Sequence, residues 1–188
     1  MSETVNKAIK IATEAHQHQT RKYNVNGCPS PYIFHPMEVA RKAWKLGFGD
    51  LTTLASSILH DVIEDNFADE VYYTKLIREI DDGEEIISVV RDLTLHPLEN
   101  KKDYLEKFNS KNINPRSLVV KLCDRICNVK DFYFADPKYS WKYFEKAKPL
   151  EKALELNKKR IIEMFGEKAE YCLRKEWEKL KNKVSQYS

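Results

Sequence analysis

No stretch of this 188-residue chain approaches the length of apolar sequence needed to cross a membrane. A secretory signal is missing as well, since Met1 to Ile11 interleaves polar and charged residues with apolar ones, and a cytoplasmic location is the expectation that follows. Charge of one sign is not in excess: 32 Lys and Arg against 29 Asp and Glu leave a formal net charge of +3. That balance describes a mixed-sign surface and gives no strong case for nucleic acid or anionic membrane as the main partner, so any anion site must be local. The four cysteines, Cys28, Cys123, Cys127 and Cys172, are too few and too scattered for a disulfide framework, and ordinary reduced thiols are expected. Internal repeats are absent, and so is any convincing alternation of apolar and polar residues of the kind a half-buried strand carries. What is left is a helical chain whose 42% hydrophobic content suffices for one core. The expected fold class is all-α, a multi-helix bundle in a single domain over residues 1–188.

One stretch stands apart from this background. His60-Asp61-Val62-Ile63-Glu64-Asp65 crowds an imidazole and three carboxylates into six residues. In a continuous helix each residue turns about 100°, which places 60, 61, 64 and 65 within roughly 140° of one another. Leu51, Leu54, Ala55, Ile58 and Val62 occupy the adjoining face and would be buried, leaving the acidic side at the core's edge. Carboxylates held there are costly to desolvate, and a divalent cation relieves that cost.

The surrounding chain supplies further donors. Val5, Ala8, Ile9, Ala12 and Ala15 mark a first amphipathic helix, with His16 and His18 near its end and Arg21-Lys22 just beyond. Tyr23 to Pro31 has loop composition and delivers His35-Pro36, where the proline is a natural first helical residue and His35 would sit at the helix mouth. Asp50 is placed to cap the helix that carries the central motif. Residues 97–112 are highly charged and expected to be exposed. Asn114-Pro115 opens a helix with Leu118, Val119, Leu122, Cys123 and Ile126 on its apolar face and Asp124 and Asn128 one turn apart on another. Asp136-Pro137 repeats the start signal. The Lys/Glu-rich remainder, to about Val184, reads as helices with solvated faces broken near Gly166, and an oligomer contact there is the lesser expectation.

His35, His60, Asp61 and Asp124 are thus nitrogen and oxygen donors from three helices that one bundle can bring together. Such a set suits Mn²⁺, Fe²⁺, Co²⁺ or Zn²⁺ and leaves positions open for water and substrate. Glu64 and Asp65 share the ligands' face without being needed as ligands, and are free to manage protons. Arg21 and Lys22 form the local anion site: arginine can fork onto phosphate or stack on a base, and lysine is a point charge.

These residues resemble a known family. Ala15-His16-x-x-Gln19-x-Arg21-Lys22, Pro31-Tyr32-Ile33-x-His35-Pro36-x-x-Val39-Ala40, Leu59-His60-Asp61-x-x-Glu64-Asp65 and Val120-Lys121-Leu122-x-Asp124-Arg125-x-x-Asn128 look like the hydrolase domain of RelA/SpoT homologues. That domain is an HD-domain phosphohydrolase, and the length resembles the free-standing small alarmone hydrolases. The likeness runs over about residues 5–155 and leaves 156–188 as a C-terminal helical extension. It implies removal of the 3′-pyrophosphate from ppGpp or pppGpp, giving GDP or GTP and pyrophosphate, with Mn²⁺ as cofactor. It also implies His35, His60, Asp61 and Asp124 as ligands, Glu64 and Asp65 as catalytic groups, and Arg21, Lys22 and Asn128 as nucleotide contacts. His18 stands where relatives usually carry glycine, Asn66 where threonine is common, and the Tyr23 to Pro31 loop is a residue or two longer than the family's tighter turn. These departures bear on substrate choice, so the alternative expectation is an HD-domain phosphohydrolase of another nucleotide: an NADPH phosphatase, or a hydrolase of a deoxynucleotide or a pyrophosphorylated tRNA end.

Overall fold

The computed structural model describes residues 2–21 and 29–187. Helix α1 (Glu3–Ala15) starts where the Ser2 hydroxyl accepts a hydrogen bond from the Val5 amide, and its Ala8, Ile11, Ala12 and Ala15 are buried. The all-α expectation holds. Among the described residues the only sheet is an antiparallel ladder of β1 (Thr20–Arg21) and β2 (Ser30–Pro31), with Thr20 opposite Pro31 and Arg21 opposite Ser30. This ladder brings Arg21 beside the chain entering the next helix, where the Tyr32 amide donates to the Gln19 carbonyl at 3.0 Å.

Helix α2 (Phe34–Leu46) begins before Pro36, so His35 lies inside its first turn and not outside it. The proline costs nothing there, because the first N–H groups of a helix have no intrahelical acceptor to lose. Gly47 ends the helix at φ +101°, and a Cβ at that position would stand 3.0 Å from the Ala169 Cβ.

Asp50 caps α3 (Leu51–Leu59) as expected, accepting from the Thr53 amide at 3.0 Å and its hydroxyl at 2.7 Å. The central motif departs from expectation in one respect: α3 stops before His60-Asp61, and the chain resumes as α4 (Val62–Asp65). His60 Nδ1 lies 2.8 Å from the Ser57 carbonyl, the group that would receive the Asp61 amide in an unbroken helix. The inward face is also wider than the apolar pattern indicates. Thr52, Thr53, Ser56 and Ser57 are buried alongside Ala55 and Ile58, whereas Leu51 is exposed.

Helices α5 (Glu70–Arg78) and α6 (Gly83–Leu93) close a core cluster with α1 and α3. The charged stretch after them is only partly exposed, because α7 (Lys101–Glu106) and the turn beyond it bury Tyr104, Leu105 and Phe108. Helix α8 (Pro115–Ala135) opens on the Asn114 cap and is the spine of the molecule, buried almost continuously to Cys127. The thiols of Cys123 and Cys127 are free and buried, and burial pushes Cys123 up to about 12, so both stay protonated. Cys28 lies outside the described residues.

The chain then folds back through α9 (Pro137–Glu145), α10 (Lys148–Leu156), α11 (Lys158–Phe165) and α12 (Glu167–Val184). Most charges of α12 face outward, Glu170 being buried, and Ala169, Leu173, Trp177, Leu180 and Val184 belong to the main core. Glu176 takes Lys42 of α2 at 2.9 Å and Lys130 of α8 on the same oxygen, so α12 braces the two helices that carry His35 and Asp124. Trp177→Ala is expected to cost about 3–5 kcal/mol in chemical denaturation. A loss below about 1 kcal/mol, the range of surface substitutions, would make α12 peripheral instead.

Candidate metal centre

Two helices and a break between helices deliver the donors: α2 brings His35, the break after α3 brings His60 and Asp61, and α8 brings Asp124. Their side chains converge. His60 Nε2 lies 2.9 Å from Asp61 Oδ2 and 3.8 Å from Asp124 Oδ1, while His35 Nε2 lies 3.7 Å and 3.2 Å from the same two oxygens. The ligand atoms of His35, His60 and Asp61 all fall within 4.8 Å of one another.

The protonation pattern bears on what this cluster can hold. The Ser57 carbonyl can only accept, so His60 carries its neutral-state proton on Nδ1 and turns the Nε2 lone pair toward the carboxylates. Nε2 is buried, with Asp61 Oδ2 2.9 Å and Asp124 Oδ1 3.8 Å away. An imidazole lone pair aimed at two carboxylate oxygens needs a cation between them. A proton can serve: burial pulls His60 down, but Asp61 and Asp124 lift it to about 10. Both carboxylates stay ionised; burial works against the charge on each, and His60 foremost for Asp61 and Lys121 foremost for Asp124 hold them below the ordinary carboxylate range. A divalent ion would take the proton's place with more charge; the geometry gathers His35, His60 and Asp61 as a group that could hold one, with Asp124 beside the two imidazoles but outside that group. His35 is pushed down by its complete burial, against the pull of Asp124, and its Nδ1 has no partner among the described residues.

A second ring of contacts fixes the carboxylates. The Tyr32 hydroxyl donates to Asp61 Oδ2 at 2.7 Å. Asp124 takes the Asn128 amide on Oδ1 and the Lys121 ammonium, 3.2 Å away, on Oδ2. Burial acts against that ammonium, yet Tyr104 and Asp124 keep its pKa above the ordinary value. Arg21 donates from Nε to Asp131 Oδ2 at 2.9 Å and from a terminal nitrogen to Asn128 Oδ1, so an unbroken chain of contacts joins Asp131, Arg21, Asn128 and Asp124. Arg125 lies over the Tyr143 ring, 4.0 Å from its centroid.

Glu64 and Asp65 sit at the rim of the cluster. Glu64 Oε2 accepts the Leu95 amide at 2.7 Å, and burial raises its pKa despite that bond. Asp65 is raised to about 7 by burial and by the charges of Asp61 and Glu64. His16 is a buried hydrogen-bonding residue as expected, paired with Gln19 at 2.9 Å, and its ring packs on Tyr32. His18 and His96 are exposed.

Every expected site residue except Lys22, which lies outside the described residues, thus falls in or beside one cluster. Tyr32 and Lys121 stand in the motifs quoted above without a role, and Asp131 is not in them. The i, i+3 spacing of Lys121 to Asp124, and of Asn128 to Asp131, is the local signal that could have found two of them. Tyr32 reaches Asp61 only through tertiary structure.

Asp65 gives a prediction that needs no substrate. Its carboxyl changes from an ordinary 3.8 to about 7 on folding. Below the lower value it is neutral in both states; between the two the unfolded chain ionises first, so the folded state loses stability as pH rises, and above 7 the loss is complete. Asp65→Asn is expected to raise the metal-free melting temperature at pH 8, with the gain fading toward pH 4. A gain that does not depend on pH would contradict the electrostatic origin.

No protein-family model matches the chain. Among curated proteins it is similar to the guanosine-3′,5′-bis(diphosphate) 3′-pyrophosphohydrolase of Aquifex aeolicus, 30% identical over 137 residues, which cover 70% of this chain and 18% of that protein. It is also 30% identical over 139 residues to the probable GTP pyrophosphokinase of Mycobacterium leprae, covering 71% of this chain and 16% of the relative. The chain therefore spans less than a fifth of the length of these relatives. A solved structure described as a metazoan orthologue of SpoT that hydrolyses ppGpp superposes with a TM-score of 0.69 at 20% identity, covering 95% of this chain and 96% of the other. That likeness establishes the fold over nearly the whole chain.

Proposed function

Because the chain belongs to the HD-domain RelA/SpoT hydrolase family, we propose that it is a metal-dependent (p)ppGpp 3′-pyrophosphohydrolase, converting ppGpp or pppGpp to GDP or GTP and pyrophosphate, with Mn²⁺ as its ion. The observation that carries this reading is the buried His60 Nε2 facing the Asp61 and Asp124 carboxylates beside His35. His35, His60, Asp61 and Asp124 are the residues that would hold the cation. When bound, a divalent ion acts as a Lewis acid on a phosphoryl oxygen and makes a neighbouring water a better nucleophile at neutral pH.

The chain's own groups account for the protons. Water adds across the ribose 3′-O–P bond, so one proton must leave the water and one must reach the departing 3′ oxygen. Asp65, near 7, can hold a proton or release it at physiological pH, and Glu64 stands one residue away with its second oxygen still available. Arg21 makes its hydrogen bonds to Asp131 and Asn128 from the edge of the guanidinium, and an edge-bonded guanidinium keeps its face for stacking on a base. Lys22 is assigned the phosphate by resemblance.

The test is to strip the protein of metal, add Mn²⁺, and incubate it in parallel with ppGpp, pppGpp, NADPH and dGTP, separating products by anion exchange. Release of pyrophosphate with GDP or GTP is expected. Cleavage of NADPH or dGTP with the alarmones left intact would keep the metal site and overturn the substrate.

A further inference from the structure

Asp124 turns its two oxygens to different partners. Oδ1 faces His35 Nε2 and His60 Nε2, whereas Oδ2 turns away and meets Lys121 Nζ at 3.2 Å. The pair is well shielded, with side-chain exposures of 11% for Lys121 and 6% for Asp124. Among the described residues, no other carboxylate makes an ion-pair contact with Lys121. The ammonium is held in place: it stands 5.0 Å from the centroid of the Tyr104 ring, which is itself pinned by its hydroxyl to the Leu93 carbonyl. Both residues lie on α8, three positions apart, so the rigid helix sets their separation.

A carboxylate can offer a hard divalent ion one oxygen or both, and chelation by both uses an extra coordination position. First-row divalent ions with oxygen and nitrogen donors accept about six ligands. With one donor atom from each of the four residues, positions for water and for a substrate oxygen stay open. If Asp124 chelated, one of them would close.

Resting on the metal-site reading above, we propose that Lys121 is a positioning residue that restricts Asp124 to a single donor oxygen and thereby keeps a coordination position open. The consequence runs against the usual effect of damaging a metal site. Removing the ammonium frees Oδ2 to chelate and also removes a positive charge from the ion's neighbourhood, and both changes strengthen binding.

The experiment compares wild type, Lys121→Met and Lys121→Arg with Mn²⁺ alone as the probe. Affinity is measured by electron paramagnetic resonance titration, and solvent access to the ion by water-proton relaxation. Lys121→Met is expected to bind Mn²⁺ about 10-fold more tightly, opposite in sign to the loss of about 10-fold or more that outer-shell changes usually cause, with a weaker relaxation effect and slower turnover. Lys121→Arg keeps the charge and should stay close to wild type. Binding by Lys121→Met that is unchanged or weaker overturns the proposal, because a merely structural lysine would loosen the site. Should that variant not fold, a crystal structure of Mn²⁺-loaded wild type decides: Oδ1 alone on the ion with Oδ2 on Lys121 supports the proposal, and both oxygens on the ion overturn it. Wild type that binds Mn²⁺ but leaves ppGpp intact would defeat the alarmone reading without touching these affinities.

Discussion

Asp61→Ala is expected to abolish hydrolysis, lowering turnover by at least about 10³-fold, the scale of the several kcal/mol that a Lewis-acid ion supplies. Asp61 does more than contribute one oxygen. Its Oδ2 is the nearer of the two carboxylate oxygens facing His60 Nε2, at 2.9 Å, and it also receives the Tyr32 hydroxyl at 2.7 Å. Without it Tyr32 loses its acceptor, and His60 keeps only the more distant Asp124 as a counter-charge. Metal affinity should therefore fall together with turnover, and calorimetric titration of Mn²⁺ into the variant is the check. Tyr32→Phe, which removes only the hydroxyl, offers a graded comparison. Normal metal affinity in Asp61→Ala would remove this residue from the ligand set.

Glu64→Gln is expected to lower turnover by roughly 10²–10⁴-fold, the range for a lost general acid or base, while leaving Mn²⁺ affinity close to wild type. The glutamine is a demanding control because its amide oxygen can still accept the Leu95 amide that Glu64 holds at 2.7 Å. Whatever Glu64 does for the fold through that bond is retained; what it does with a proton is lost. Near-normal turnover would reduce Glu64 to an anchor for the segment after α6. Together with Asp61→Ala, this variant separates holding the ion from moving protons.

The two substitutions also mark what is legible in the sequence. Helix starts could be read because capping is local: Asp50, Asn114 before Pro115, and Asp136 before Pro137 all accept from backbone amides within three residues, as their types and positions indicate. The donors could be gathered because His60 and Asp61 are adjacent and motif spacing brought in His35 and Asp124. Three features were not legible, each for a physical reason. The break at His60-Asp61 depends on a side chain competing for the Ser57 carbonyl, which periodicity does not register. Burial of Tyr104, Phe108 and Trp177 inside charge-rich segments reflects how little apolar surface a helix needs to enter a core when its charges can point outward. The contacts of Tyr32 with Asp61 and of Arg21 with Asp131 span 29 and 110 residues and arise only when the helices pack.

The most direct test of the central claim is to titrate Mn²⁺ into metal-stripped protein while recording bound ion and ppGpp turnover in the same samples. The expected result is no turnover without metal and a rate that rises in proportion to a single ion per chain, saturating when that ion is bound. Turnover in the fully stripped protein, or an occupied site with no release of pyrophosphate, would contradict the assignment.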